Sequence, residues 1–119
     1  DLTELTIMLH DHNIRAHVET SGAHPISGSW DWITLSPKKF KAPLDEVLQM
    51  ANELKVIVYN KSDFDWAEKY ADQMNENCLL YLQPEWSKSS EMNPFIIEYI
   101  KHYPRWILSL QTHKFLNIP

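Results

Sequence analysis

The chain has 119 residues, a formal net charge of −5 and 44% apolar residues, with five Trp and five Tyr. That length allows one domain with a real core, and an acidic balance with no Lys/Arg stripe excludes nucleic acid as a main partner. The two glycines exclude a Gly-rich phosphate loop, the single cysteine, Cys78, excludes an intrachain disulfide and suits a reducing compartment, and no apolar run has the length of a membrane span.

Leu2, Leu5, Leu9 and His12 recur at helical spacing, with Asp1 or Thr3 placed to cap the helix they predict. Residues 14–19, "IRAHVE", alternate apolar and polar as in a strand. "WITLS" at 32–36 reads as a second strand. "APLDEVLQMANEL" at 42–54 reads as a helix. Pro43 suits its first turn, Asp45 and Glu46 suit the positive end of its dipole, and Leu44, Val47, Leu48, Ala51 and Leu54 form its apolar face. "KVIVY" at 55–59 is a short buried strand. Ser62 followed by Asp65 resembles a capping box in acid form and opens a helix with Phe64, Ala67, Ala71 and Met74 on its face. "CLLYLQ" at 78–83 is another strand, and 89–103 a last helix, with Asn93 as its cap and Pro94 at its first position. "WILSLQ" at 106–111 is the final strand. Strands and helices alternate except between the first two strands. That order predicts parallel strands joined by right-handed crossovers, an α/β sheet or part of a barrel, with no internal domain boundary.

Each predicted strand runs apolar and then meets polar residues: Glu19-Thr20-Ser21, Ser36-Pro37-Lys38, Asn60-Lys61, Gln83-Pro84-Glu85 and Gln111-Thr112-His113-Lys114. In parallel α/β architectures these ends share one face, where ligands bind. Loops are polar in any case, which accounts well for Asn60-Lys61. It accounts less well for a Gln closing two strands, because a half-buried amide needs partners.

Glu19, expected to be partly buried, reads equally as a salt-bridge or cap residue and as an acceptor for a ligand hydroxyl or amine. Ser36-Pro37-Lys38 reads first as a turn; its alternative is a hydroxyl and a cation for a ligand carboxylate. His10-Asp11-His12 suggests a metal, but residues two apart do not share a helical face, so a solvated helix end is expected. His17 reads as a surface residue, Trp30-Asp31-Trp32 as packing, and Cys78 as a small buried apolar residue. His113, between Thr112 and Lys114 just past a strand, favours a site role.

"VETSG", "DWITLSPK", "LQPEW" and "LQTHKFLNIP", in this order, resemble the 7-carboxy-7-deazaguanine synthase family, in its C-terminal half. That family is placed among the radical S-adenosylmethionine enzymes, also called organic radical activating enzymes. The resemblance covers essentially the whole chain, and the "LQTHKFLNIP" ending is its most specific part. It implies a partial (β/α) barrel, the C-terminal portion of a radical S-adenosylmethionine core. It also implies a [4Fe–4S] cluster, S-adenosylmethionine and Mg2+ in the full-length parent, and conversion of a 6-carboxy-tetrahydropterin to 7-carboxy-7-deazaguanine for queuosine synthesis. By the same resemblance Glu19, Thr20, Ser36, Lys38 and Gln83 line the S-adenosylmethionine side, while Gln111, His113 and the Pro119 carboxylate reach the pterin.

The cysteine motif for the cluster is absent; three thiolates are required, and one Cys is present. With Asp1 in place of a starting Met, the chain is expected to be a single-domain piece lacking the cluster-binding half, with the cluster and magnesium ligands upstream. It is expected to hold no stoichiometric cofactor and to be inactive alone. Expected too are a cytoplasmic setting, no membrane or nucleic-acid partner, and a homodimer or pairing through strand edges exposed where the barrel is cut. Two other readings stay open: a stand-alone α/β small-ligand or interaction module, and a radical S-adenosylmethionine activase of another substrate. The "THKFLNIP" ending speaks against the latter.

Overall fold

A computed structural model describes residues 1–110. The element order is α1 (Thr3–Asp11), β1 (His17–Thr20), β2 (Trp32–Leu35), α2 (Asp45–Met50), β3 (Glu53–Val58), α3 (Asp63–Ala71), β4 (Leu79–Pro84), a single 3-10 turn (Trp86–Lys88), α4 (Ser89–His102) and β5 (Trp106–Leu108). The five strands follow the spatial order β1-β2-β3-β4-β5, so the expected parallel α/β fold is the one observed. The chain divides into two compact units. The first is Asp1–Leu54 with Gln73–Cys78; the second is Lys55–Asp72 with the described residues from Leu79 onward.

In the first unit β1 and β2 run parallel, with His17 beside Trp32, Val18 beside Ile33, Glu19 beside Thr34 and Thr20 beside Leu35. β2 continues onto the start of β3, with Thr34 beside Glu53 and Leu35 beside Leu54. Successive side chains of a strand point to opposite faces. One face therefore carries Ile33, Leu35 and Leu54, all buried, as are Val47 and Leu48 of α2. The other carries His17, Glu19, Trp32, Thr34, Ser36 and Glu53.

In the second unit β4 and β5 pair in parallel, Leu80 beside Trp106 and Leu82 beside Leu108. The fully buried Trp106, Leu82 and Ile96 form its centre with Val56 and Val58. α4 packs on both strands. Phe64 of α3 stacks on Tyr99 of α4 with ring centroids 4.2 Å apart, and Tyr99 on Tyr103 at 4.5 Å. Arg105 donates to Glu68 at 2.5 Å and to Asp72 at 3.0 Å, and Trp106 Nε1 donates to Glu68, tying the start of β5 to α3.

Four local expectations are corrected. The helix expected to run to residue 54 stops at Met50, because Asn52 joins β2 instead: its N–H donates to Ile33 O at 2.9 Å and its Oδ1 accepts from Ile33 N at 2.7 Å. The last helix starts at Ser89, so Pro94 lies inside it and Asn93 is not a cap. Asn93 Oδ1 is buried with no hydrogen-bond partner among the described residues. Ser62 makes no capping bond to α3; Asp63, buried, accepts instead from Tyr59 N at 2.7 Å and Asn60 N at 3.2 Å. In α1 the buried residue is Thr6, while Leu2 and Leu5 are exposed. Thr6 is held from outside its helix: Ser29 N donates to its Oγ1 at 3.0 Å.

Candidate functional site

The ends of β1 and β2 form a shaped rim in the first unit. Ser36 N donates to Thr20 O at 2.8 Å, which carries the pairing one step past both strands. Thr20 Oγ1 then accepts from Gly22 N at 3.0 Å and turns the chain. Gly22 has φ +76°, and a Cβ there would meet Leu35 Cδ1 and Pro43 Cβ at 2.8 Å. Only glycine suits both that backbone and that space. Gly22 O in turn accepts from Leu44 N at 2.8 Å, where α2 begins. Glu19, Thr20 and Ser36 are thereby fixed by backbone geometry.

Ser36 is buried, at 6% exposure. Lys38 lies just beyond it, exposed, in a tight bend where its backbone bridges to Lys41. Glu19 is exposed, not partly buried as its pattern suggested, since it stands on the strand that ends the sheet order. In the second unit Gln83 is buried at the end of β4. Its Oε1 accepts from Ser109 Oγ at 3.0 Å, which leaves the amide nitrogen as the group it can offer a ligand. The partner that a strand-end glutamine requires is thus Ser109, past the end of β5. Gln111, His113 and Pro119 lie outside the described residues.

Other candidates resolve as structure. His10 Nε2 pairs with Asp31 Oδ2 at 3.0 Å, and the same oxygen accepts from Ala16 N at 2.6 Å. The Ala16 N–H, followed by the His10 hydrogen bond, holds the Asp31 carboxyl below the usual carboxylate range. His12 Nδ1 bonds Met8 O at 2.9 Å, so the two histidines of the "HDH" stretch have separate partners. Cys78 is half-buried, and burial, aided by the Glu53 charge, pushes its thiol up to about 11. A thiol so raised is protonated at neutral pH. Among the described residues no group of three or more His, Cys, Asp or Glu could hold a metal ion, and no helix is long and apolar enough to cross a membrane.

Sequence reasoning missed a hydrogen-bonded row on the polar face of the first unit. His17 Nε2 lies 2.9 Å from Thr34 Oγ1, and Thr34 Oγ1 donates to Glu53 Oε1 at 2.5 Å. The available signal was the Thr inside an otherwise apolar "WITL" strand: a buried hydroxyl needs partners.

Parallel strands with one apolar face, one polar face and hydrogen-bonded polar ends place the chain in the parallel α/β class. No family model matches it. The 7-carboxy-7-deazaguanine synthase of Flavobacterium psychrophilum is 56% identical over 119 residues, which is 100% of this chain and 57% of that protein. The synthase of the same name from Synechocystis sp. is 48% identical over 118 residues, 99% of this chain and 56% of that protein. The crystal structure of QueE from Escherichia coli superposes with a TM-score of 0.83 at 28% identity, covering 93% of this chain and 51% of that one. The chain is therefore homologous along its whole length to the 7-carboxy-7-deazaguanine synthases, and it spans about half the length of the curated relatives it matches.

Proposed function

We propose that this chain is part of a radical S-adenosylmethionine enzyme that converts a 6-carboxy-tetrahydropterin to 7-carboxy-7-deazaguanine, with ring contraction and loss of ammonia. The observation that carries the proposal is 56% identity across every residue of the chain to a protein named for that product.

The strand ends suit S-adenosylmethionine chemically. Its amino-acid end is a zwitterion: Glu19 supplies an acceptor for the ammonium, and Lys38 supplies a cation for the carboxylate. The buried Ser36 hydroxyl adds a neutral hydrogen bond that orients the ligand, and Gln83 is assigned to that ligand in this reading by resemblance. Thr20 shapes the rim through its bond to Gly22. Gln111, His113 and the Pro119 carboxylate are assigned in this reading to the pterin. The described residues do not fit the cluster, which needs three thiolates, or the magnesium ion. This chain by itself is accordingly proposed to be inactive, and its residues bind and orient.

β1 and β5 end the strand order, and an unpaired strand edge is a template for another chain. Self-association, as a homodimer or through such an edge, belongs to the same reading; light scattering checks it, and a monomer at high concentration counts against it.

The test of the activity is turnover. The longest reading frame encoding this chain, reconstituted anaerobically with iron and sulfide, is given S-adenosylmethionine, Mg2+, a reductant and 6-carboxy-tetrahydropterin. Mass spectrometry should find 7-carboxy-7-deazaguanine, with none formed by residues 1–119 alone. A fully reconstituted protein that makes no product refutes the proposal.

A further inference from the structure

Phe40, at 89%, is the most exposed large apolar side chain among the described residues. It stands at the tip of the bend after β2, where Lys38 bridges to Lys41 and Lys41 N donates to Lys38 O at 3.4 Å. Both ends of the bend are anchored. Before it, Ser36 and Pro37 are buried and Ser36 N donates to Thr20 O at 2.8 Å. After it, Pro43 is buried and Leu44 N donates to Gly22 O at 2.8 Å. The bend is thus a fixed knob. Its four residues hold three of the chain's eleven Lys and Arg, namely Lys38, Lys39 and Lys41, while the whole chain carries −5. An apolar tip among charges of one sign is matched by an apolar recess among charges of the other.

The second unit contains such a recess. Where α4 lies against the start of α3, Phe64, Phe95, Tyr99 and Tyr103 line a cleft of about 240 Å³, with Lys61 and Glu98 also in its wall. A cavity of about 150 Å³ holds benzene, so a phenyl ring fits. Phe95 and Tyr103 are 40% and 50% exposed, which leaves the cleft open to solvent. The stacked rings of Phe64, Tyr99 and Tyr103 offer faces and edges for a further aromatic ring. The Lys61 ammonium, 4.0 Å from the centre of the Phe95 ring, shows that these rings attract cations. After burial, the charges of Glu68 and Asp65 hold the Tyr99 phenol above its ordinary range. Around the cleft, the acids Asp65, Glu68, Asp72 and Glu98 stand against the bases Lys61, Lys101 and Arg105, four negative charges to three positive. The recess is therefore slightly acidic, and the knob is strongly basic.

We propose that Phe40 of one copy of this protein inserts into the α3–α4 cleft of a second copy, with Lys39 and Lys41 beside the acids around it. An aromatic anchor in an apolar pocket is the form in which a few residues carry an interface. The contact joins two different surfaces, so each copy can give a knob and receive one. Lys38, two positions before the tip, keeps its assignment to the cofactor. The inference rests on the self-association proposed above and names the surfaces that make it. The competing account is pairing through the edge of β1 or β5.

Sedimentation velocity of the full-length protein tests it. Phe40→Asp should weaken self-association about tenfold or more, with an unchanged thermal midpoint, since this side chain is 89% exposed. Phe95→Asp should weaken it similarly, and so should Glu98→Lys, at a side chain 64% exposed. Added salt should weaken the wild-type contact. Phe40→Asp keeps its cleft and Phe95→Asp keeps its knob. A mixture of the two, one carrying a fluorescent label, should therefore form a mixed pair although neither variant associates alone. If Phe95→Asp fails to fold, Glu98→Lys takes its place in the mixture. Phe40→Asp that associates as tightly as wild type, or a mixture that forms no pair, overturns the inference and leaves self-association to another surface. A wild type that stays monomeric at high concentration overturns both.

Discussion

The two faces of the β1–β2–β3 ladder are built from alternate residues of the same short strands, yet they do different work. One face holds Ile33, Leu35 and Leu54, at 5%, 0% and 0% exposure. The rim glycine has Leu35 Cδ1 and Val47 Cγ1 of α2 against it, at 2.8 and 3.3 Å from where a Cβ would stand. The other face holds His17, Thr34 and Glu53 joined by hydrogen bonds. The apolar face supplies the free energy that keeps the strands in register. The polar face spends side chains on directed donors and acceptors that add little net stability. A one-residue slip of β2 would exchange the two, so the packing of Leu35 is what holds Thr34 between His17 and Glu53.

Substitutions that strike one face and spare the other separate these roles. Leu35→Ala leaves a cavity at a fully buried site and should cost about 2–5 kcal/mol in urea unfolding. Gly22→Ala places a methyl 2.8 Å from Leu35 and Pro43 at a positive φ, and should cost about 1–3 kcal/mol in the same measurement. Thr34→Val keeps the shape of a buried side chain but removes the donor to Glu53 and the acceptor for His17. Its cost should be about 1 kcal/mol, because Glu53 is only half-buried. A Thr34→Val loss as large as that of Leu35→Ala would mean that the polar face carries the fold too.

The smallest effect concerns pH. The Asp31 carboxyl is lowered by the Ala16 N–H and His10, so its contribution is present above the unfolded value of about 3.9 and is lost as pH falls through the folded one. Asp31→Asn should remove that part of the acid-side decline in thermal unfolding below about pH 4, leaving the neutral-pH curve parallel to wild type.

Patterning made the parallel α/β fold legible because each strand is short, apolar and bounded by turn residues. Of the face expected for α3, Phe64, Ala67 and Ala71 are buried in the helix, whereas Met74 falls past its end at Ala71 and is half-buried. Where local rules failed, a distant partner decided. Asn52 has an ordinary helical neighbourhood, but Ile33 offers it both a donor and an acceptor, so the chain leaves the helix. Pro94 suggested a helix start. The Trp86–Lys88 turn, capped by Glu85 accepting from Ser87 N at 2.9 Å, had already started the winding before it. Asp63 and Thr6 took over roles expected of Ser62 and Leu5 because each meets backbone donors that spacing cannot reveal. The strand ends singled out Glu19, Thr20 and Ser36 in the first unit and Gln83 in the second, and their binding roles rest on the proposed function. Nothing local announced that Thr34 would join His17 to Glu53, since that link needs the register of three strands.

The central claim is that the polar strand ends hold S-adenosylmethionine, and calorimetric titration of that ligand into the reconstituted full-length protein tests it most directly. Wild type should bind one equivalent, and Ser36→Ala and Glu19→Gln should each weaken binding about tenfold, equivalent to about 1.4 kcal/mol, with unchanged unfolding midpoints. Wild type that binds none, or both variants binding as tightly as wild type, would contradict it.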